Sequence, residues 1–317
     1  MARITPLSSA EASAITQAHG LGPCLGIEPL SAGSVNSNFF LEVRGGRRFL
    51  RIYEEQGLDG VAYEWALLEH LVSKGLPVPR LVPGTEPGAL RVAGKPTALF
   101  EVASGETLCH RLVGLGQLEA VGRFLGQSHR ACADFGWRRG SRFDPEGLRR
   151  RIEGARRAGD LSLEAPLDRI EAVLDQVQGV GLALPRGVIH GDLFRDNLLF
   201  EGEALSCVID WESAADGALL QDLVIAWLAL GYDEEFVAAK GRALFAGYQA
   251  ERPLAPAEWA ALRALAMGAA ARFATTRITD FHLRPGLTGF RDYRRFLARL
   301  EAIAAMDEAA LRALLGG

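Results

Sequence analysis

The sequence predicts an α+β fold of two lobes, a small antiparallel-sheet lobe over residues 1–102 and a larger, mainly helical lobe over residues 103–317. Three observations carry that expectation. The chain has 317 residues, more than one ordinary core serves. Its first hundred residues are strand-rich, whereas from about Glu106 apolar residues recur at three- and four-residue steps. Hydrophobic residues make up 49% and charged residues 23%, a globular composition rather than a disordered one.

The elements follow in order. Asn38–Val43 and Arg48–Tyr53 read as two strands joined through Arg44-Gly45-Gly46-Arg47, a glycine-centred hairpin turn. Val61, Trp65, Leu68 and Val72 mark a helix, which Gly75-Leu76-Pro77-Val78-Pro79 ends, since proline disfavours helical backbone in the residue before it. A strand pair is expected at Ala89–Val92 and Thr97–Val102. Beyond it, Leu118, Val121, Leu125, Ser128 and Cys132 share one helical face. Further helices are expected over Leu167–Val177, Leu219–Leu230, Glu234–Tyr248 and Pro256–Phe273, the last with proline at its tolerant first position. A final one runs through Phe290, Tyr293, Phe296, Leu300 and Ile303. Among them sits a short hairpin, Leu198–Phe200 and Leu205–Ile209, around Glu201-Gly202-Glu203.

Bulk properties exclude several function classes. A formal charge of −4 argues against a general nucleic-acid binder. Cys24, Cys109, Cys132 and Cys207 lie too far apart for a zinc pattern or a disulfide framework. Residues 1–20 lack the basic start and apolar run of a signal peptide, and no stretch approaches the roughly 20 apolar residues of a membrane helix. The expectation is a soluble cytoplasmic protein with no nucleic-acid or membrane partner.

Chemistry concentrates in one segment, Val188-Ile189-His190-Gly191-Asp192-Leu193-Phe194-Arg195-Asp196-Asn197-Leu198-Leu199-Phe200, followed by Cys207-Val208-Ile209-Asp210-Trp211-Glu212. Each apolar, strand-like run delivers polar groups at one end. Phosphoryl transfer needs a carboxylate to orient the attacking hydroxyl and take its proton, and oxygen ligands for magnesium on the nucleotide phosphates. Asp192 suits the first role, and Asn197 and Asp210 the second. No Walker motif competes: at Gly94-Lys95, Pro96 follows and the preceding Gly88 is one residue too distant.

This segment resembles the catalytic loop and metal-binding segment of the aminoglycoside phosphotransferase and choline kinase superfamily, which shares the protein-kinase fold. The family's His-x-Asp-x-x-x-x-Asn pattern matches at His190, Asp192 and Asn197, and its Ile-Asp-aromatic at Ile209-Asp210-Trp211. The resemblance implies a bilobal kinase-like fold, ATP and Mg2+ as cofactors, and a supporting role for His190 and Asp222 at the loop. It places Leu30–Phe39, with Ser34, Asn36 and Ser37, at the phosphate-covering turn, where small and amide residues expose backbone N–H groups. Arg51 falls where the family has a strand lysine, and Glu64 where a helix glutamate pairs with it. Arginine there is a departure, because a planar fork is not a point charge. Glu101 and Val102 resemble the hinge whose backbone receives adenine.

Within the superfamily, three stretches resemble the homoserine kinases of this fold: Asn36-Ser37-Asn38-Phe39, His190–Asn197, and Ala271–Asp280 with Asp292–Leu297 beyond it. That implies a small zwitterionic alcohol as substrate. Its carboxylate calls for a guanidinium, with Arg272 and Arg277 as candidates of which at most one need act. Asp196, Glu212 and Asp216 are candidate ammonium partners; for Glu212 a second-magnesium role and a solvated loop carboxylate stay open as well. His129 reads as a satisfied core histidine. The chain passes from Asp210 to a helix near Leu219 without a long activation segment, which excludes a protein substrate. Two rivals remain at this level: another amino-alcohol or aminoglycoside phosphotransferase of the same fold, and a catalytically inactive nucleotide-binding module.

Overall fold

A computed structural model of the chain describes residues 5–30, 35–109, 112–284 and 291–317. Two compact units divide it. The first comprises residues 1–106, 199–201 and 206–212, and the second residues 107–198, 202–205 and 213–317.

The first unit opens on helix α1 (Ser9–Ala18), capped by a reciprocal Ser8–Glu11 box in which each side chain bonds the other's backbone N–H. Strands β1 (Gly26–Leu30), β2 (Ser37–Val43) and β3 (Gly46–Ile52) follow, then helix α2 (Leu58–Ser73), β4 (Arg91–Val92) and β5 (Lys95–Glu101). They form one antiparallel sheet in the order β1-β2-β3-β5-β4. The hairpin turn between β2 and β3 is the two residues Arg44-Gly45, because Gly46 already pairs with Val43.

Strand alternation gives this sheet two working faces. Phe39, Leu50 and Leu99 lie opposite one another on β2, β3 and β5 and join Leu41, Ile52, Val92 and α1 residues Ala12 and Ile15 in one core. Each such fully buried aliphatic contributes about 1.5–3 kcal/mol of transfer free energy. One residue out of phase, Phe40, Phe49 and Phe100 form a second row, with ring centroids 6.0 Å apart at each step. Arg51, two residues on from Phe49, shares that second face.

The second unit is helical. It carries α3 (Leu115–Ala131), α4 (Pro145–Arg157) and α5 (Glu164–Gln176), and then β6 (Arg186–Ile189). The hairpin β7 (Leu198–Glu201) and β8 (Ala204–Val208) contributes residues 199–201 and 206–208 to the first unit. Strand β9 (Ala215–Ala218) pairs antiparallel with β6, setting Val188 opposite Asp216. Helices α6 (Leu219–Leu230), α7 (Ala238–Glu251), α8 (Pro256–Arg277), α9 (Arg294–Ala304) and α10 (Glu308–Leu315) complete it, with a π-helical turn over Ile278–His282 directly after α8.

Several helices depart from the sequence-based expectation. Helix α7 starts at Ala238 rather than Glu234, since Tyr232 and Phe236 form a β-bridge instead. The helix through Phe296 and Ile303 is not the last, because α10 follows, capped by Asp307. Helices α1 and α4 had also gone unread, although Ser8-x-x-Glu11 and Asp144-Pro145 are ordinary start signals. Helices α3 and α7 approach so closely that a Cβ on Gly122 would meet the Leu244 carbonyl oxygen at 2.0 Å. That approach positions His129 and Tyr248, considered below. None of the four cysteines is in a disulfide, and burial pushes the Cys207 thiol up to about 12. Among the described residues no helix is long and apolar enough to cross a membrane.

Candidate active site

In the first unit, the phenylalanine face of the sheet walls a cavity of ≈180 Å³. Phe40, Phe49, Leu68, Phe100, Leu199 and Ile209 supply its apolar surface. Arg51, Glu64 and Asp210 supply charge, and the strand exit Glu101-Val102-Ala103 forms one edge. The Glu101 N–H donates to the Arg80 carbonyl at 2.9 Å, while the Val102 and Ala103 amides have no backbone acceptor among the described residues. An apolar cavity with backbone N–H groups lacking a backbone acceptor at its edge is chemically suited to an apolar ring that carries hydrogen-bond acceptors.

Arg51 bridges two carboxylates, its Nη1 lying 3.2 Å from Asp210 Oδ1 and 3.5 Å from Glu64 Oε1. Burial disfavours the Arg51 cation, but the fields of Asp210 and then Glu64 outweigh it and raise its pKa above the ordinary arginine value. Asp210 is a non-glycine residue in left-handed backbone, at φ +67°. Aspartate tolerates that region better than most residues, and the Trp211 Nε1–H bond to the Val208 carbonyl at 2.8 Å anchors the turn.

The remaining first-unit candidates do not line this cavity and are held by other partners. Asn36 Nδ2 donates to Glu212 Oε2 at 2.7 Å, and Asn36 Oδ1 accepts from the Glu54 N–H at 3.2 Å. Glu212 is thus buried with Asn36 as its partner, and its carbonyl accepts from Gln56 Nε2 at 3.0 Å. Ser37, expected at the phosphate-covering turn, is buried instead: its hydroxyl accepts from the Thr5 N–H and donates to Glu54. Ser34 lies outside the described residues.

In the second unit, the loop after β6 is held at every peptide group around Asp192. Asp222 on α6, 1% exposed, accepts the His190 N–H at 2.6 Å and the Gly191 N–H at 2.7 Å. The Gly191 carbonyl accepts from Arg272 Nη1 at 2.6 Å. The Asp192 N–H donates to His190 Nδ1 at 3.2 Å, and the Asp192 carbonyl accepts from Asn197 Nδ2 at 2.8 Å. Gly191 stands at φ +77° with the Ser213 carbonyl 3.1 Å from where a Cβ would be, so a side chain here would be strained.

Asp222 is itself part of a buried chain of partners. Burial would raise its pKa, but hydrogen bonding from His129, the imidazoles of His129 and His190, and the Gly191 N–H hold it below the usual carboxylate range. His129 Nε2 lies 3.2 Å from Asp222 Oδ2, and its Nδ1 lies 2.9 Å from the Tyr248 hydroxyl. Arg252 donates to that hydroxyl at 3.0 Å and pairs with Glu258 at 2.9 Å. An ionised Asp222 requires an N–H on His129 Nε2. The core reading of His129 therefore has a specific content that a lone histidine in the sequence does not reveal.

The other candidates separate by their partners. Asp216 pairs with Arg186 at 3.0 Å and Arg138 at 3.6 Å, and Asp196, half exposed, with Arg195 at 3.2 Å. Arg272 is 4% exposed and sandwiched between Phe143 and Phe273, its guanidinium carbon 4.1 and 4.5 Å from their ring centroids. Burial pushes its pKa down to about 10. Arg277 is only part-buried and stacks 4.3 Å over Phe296. Missed by the sequence reading were Arg139 and Arg142, which bind the Ala214 carbonyl and the Ser213 hydroxyl in the segment after Asp210. Their separation of more than 70 residues from those partners leaves no local spacing signal.

Asn197 offers an amide oxygen and Asp210 a carboxylate, donors of the hard oxygen type that magnesium takes. Among the described residues no group of three or more His, Cys, Asp or Glu side chains is gathered for a metal.

Comparison with known proteins follows the same lines. Residues 26–265 match the model of the phosphotransferase enzyme family. The chain is 35% identical over 301 residues to a homoserine kinase of Hyphomonas neptunium, covering 90% of each chain. It is 34% identical over 327 residues to one of Methylocella silvestris, covering 98% of each. Among solved structures it resembles an amicoumacin kinase in complex with AMP-PNP, Ca2+ and Ami, with a TM-score of 0.71 at 17% identity over 90% of this chain and 91% of that one. At that identity the likeness shows the fold alone, and the fold is kinase-like.

Proposed function

The chain belongs to the phosphotransferase enzyme family, and on that premise we propose that it transfers the γ-phosphoryl group of ATP to the hydroxyl of L-homoserine, giving O-phosphohomoserine. The observation that carries this reading is the fixed Asp192 loop, in a chain whose full-length relatives are homoserine kinases. Such a step belongs to threonine biosynthesis and to the cytoplasm, where ATP and free amino acids meet.

Each residue then has a task. Asp192 orients the acceptor hydroxyl and takes its proton as the P–O bond forms. Asn197 and Asp210 would hold magnesium. When bound, that ion neutralises charge developing on the phosphates. Arg51, kept cationic by Asp210 and Glu64, faces the phosphates, and the phenylalanine slot with the Glu101–Ala103 edge receives adenine. Residues 1–102 act as the nucleotide-binding lobe, and residues 103–317 as the catalytic and substrate-binding lobe.

Arg51→Ala tests the nucleotide assignment. It removes a charge-assisted contact and leaves Glu64 buried without its cation, so KM for ATP should rise on the order of 10-fold to 100-fold. Steady-state kinetics with varied ATP checks this, and an unchanged KM sinks that role.

The substrate is tested by ADP release with ATP and magnesium across L-homoserine, L-serine, L-threonine, choline and kanamycin. Saturable turnover with L-homoserine alone is the expected result. Preferred turnover of choline or kanamycin would retain the phosphotransfer chemistry and overturn the substrate. Binding of ATP without turnover of any alcohol would favour the inactive module.

A further inference from the structure

We propose that Arg277, not Arg272, is the specificity-determining residue that receives the substrate's carboxylate. The proposal rests on the homoserine reading and deepens it.

The two arginines share α8 but differ in what already satisfies them. Arg272 is nearly inaccessible, wedged between two phenylalanine rings, with its Nη1 given to the Gly191 carbonyl. It acts on the loop that carries Asp192, and its guanidinium has little room for an external anion. Arg277 is part-exposed, and its one hydrogen bond among the described residues runs from Nη1 to the Asp292 carbonyl at 3.2 Å. Among the described residues most of its N–H fork meets no acceptor, which leaves it for an incoming one.

Charge around Arg277 points the same way. Arg150, Arg151, Arg156, Arg169, Arg186 and Arg252 in this unit each pair with a carboxylate. Arg277 has no carboxylate within ion-pair distance among the described residues, and neither has Arg299. Both guanidiniums lie over the same Phe296 ring, at 4.3 and 4.9 Å, so two cations share one aromatic partner and neither has a carboxylate among the described residues. Burial, and then repulsion from Arg299, Arg295 and Arg291, pushes the Arg277 pKa down to about 9. An anion bound here would relieve that repulsion.

Position completes the argument. Arg277 also lies 6.0 Å from the ring centroid of Phe194, two residues beyond Asp192 on the catalytic loop, and Asp192 stands within its electrostatic reach. Homoserine spans about 5 Å from carboxyl carbon to hydroxyl oxygen by ordinary bond lengths. A carboxylate on Arg277 would therefore orient its hydroxyl end toward the Asp192 loop. Arg277 is the last residue of α8 before the π-helical turn Ile278–His282, a local widening of the helix found often at functional sites.

The test compares L-homoserine with 3-aminopropan-1-ol, the same alcohol without its carboxylate. The readout is the ratio of kcat/KM for the two acceptors, with the inhibition constant of 3-aminopropan-1-ol against homoserine as a second measure of its affinity. Arg277→Gln should lower the ratio on the order of a hundredfold, and Arg277→Lys about tenfold, since lysine keeps the charge but loses the fork. Thermal unfolding and KM for ATP identify a variant that has merely misfolded, and the milder Lys variant then carries the test. Arg272→Lys should lower kcat for both acceptors alike. Wild-type turnover of homoserine with a ratio that neither Arg277 variant shifts overturns the assignment alone, as does a shift confined to Arg272→Lys. A wild-type enzyme that ignores homoserine overturns the activity reading and this assignment with it.

Discussion

Asp192→Asn is expected to lower kcat about 10³-fold or more while leaving ATP affinity within about threefold. The substitution is nearly isosteric. It changes neither the Asn197 bond to the Asp192 carbonyl nor the His190 bond to its N–H, so the loop should keep its conformation. What disappears is the anionic oxygen that takes the acceptor's proton. Coupled ADP release measures the first quantity, and calorimetric titration with ATP and magnesium the second. Turnover near the wild-type rate would remove Asp192 from the chemistry.

Asp222→Asn should have the largest effect on the folded state, about 3 kcal/mol or more. The carboxylate accepts from two successive backbone N–H groups and from His129, all buried. An amide offers one acceptor oxygen and sets an NH2 group against a donor. Because the native carboxyl is held below its ordinary range, its stabilisation is complete above the unfolded-state value near 4 and is lost as pH falls through the folded value. Wild type should therefore lose urea resistance below about pH 4, and the variant should show a shallower acid limb from a lower plateau. Equal urea midpoints for the two proteins at pH 7 would show that the network does not hold the loop. Activity should fall as well, since the same bonds fix the peptide groups on either side of Gly191.

The segment proposed as catalytic was legible because its parts are close in the chain. His190, Asp192 and Asn197 fall within eight residues, and a strand on either side fixes which way a short loop can face. The period-two rows of β2, β3 and β5, and the apolar stripes of α2, α3 and α6, were legible for the same reason: secondary structure repeats over a few residues, and burial follows the repeat. Helix α4 was not, since seven of its thirteen residues are charged and its buried Leu148, Ile152 and Ala155 are a thin stripe among them.

The amino-acid sequence by itself pointed to the fold class and the phosphotransferase class, through local spacing and the family resemblance that spacing carries, and it supplied the candidate residues. Only the tertiary structure decided their partners. It buried Ser37 against Glu54, gave Glu212 to Asn36, joined His129 to Asp222 across 93 residues, and separated Arg272 on the Gly191 carbonyl from Arg277 on the Asp292 carbonyl. Those outcomes depend on which elements meet in space. A hydrogen bond between residues far apart in the chain is fixed by the packing of helices and strands, and no periodicity along the sequence records it.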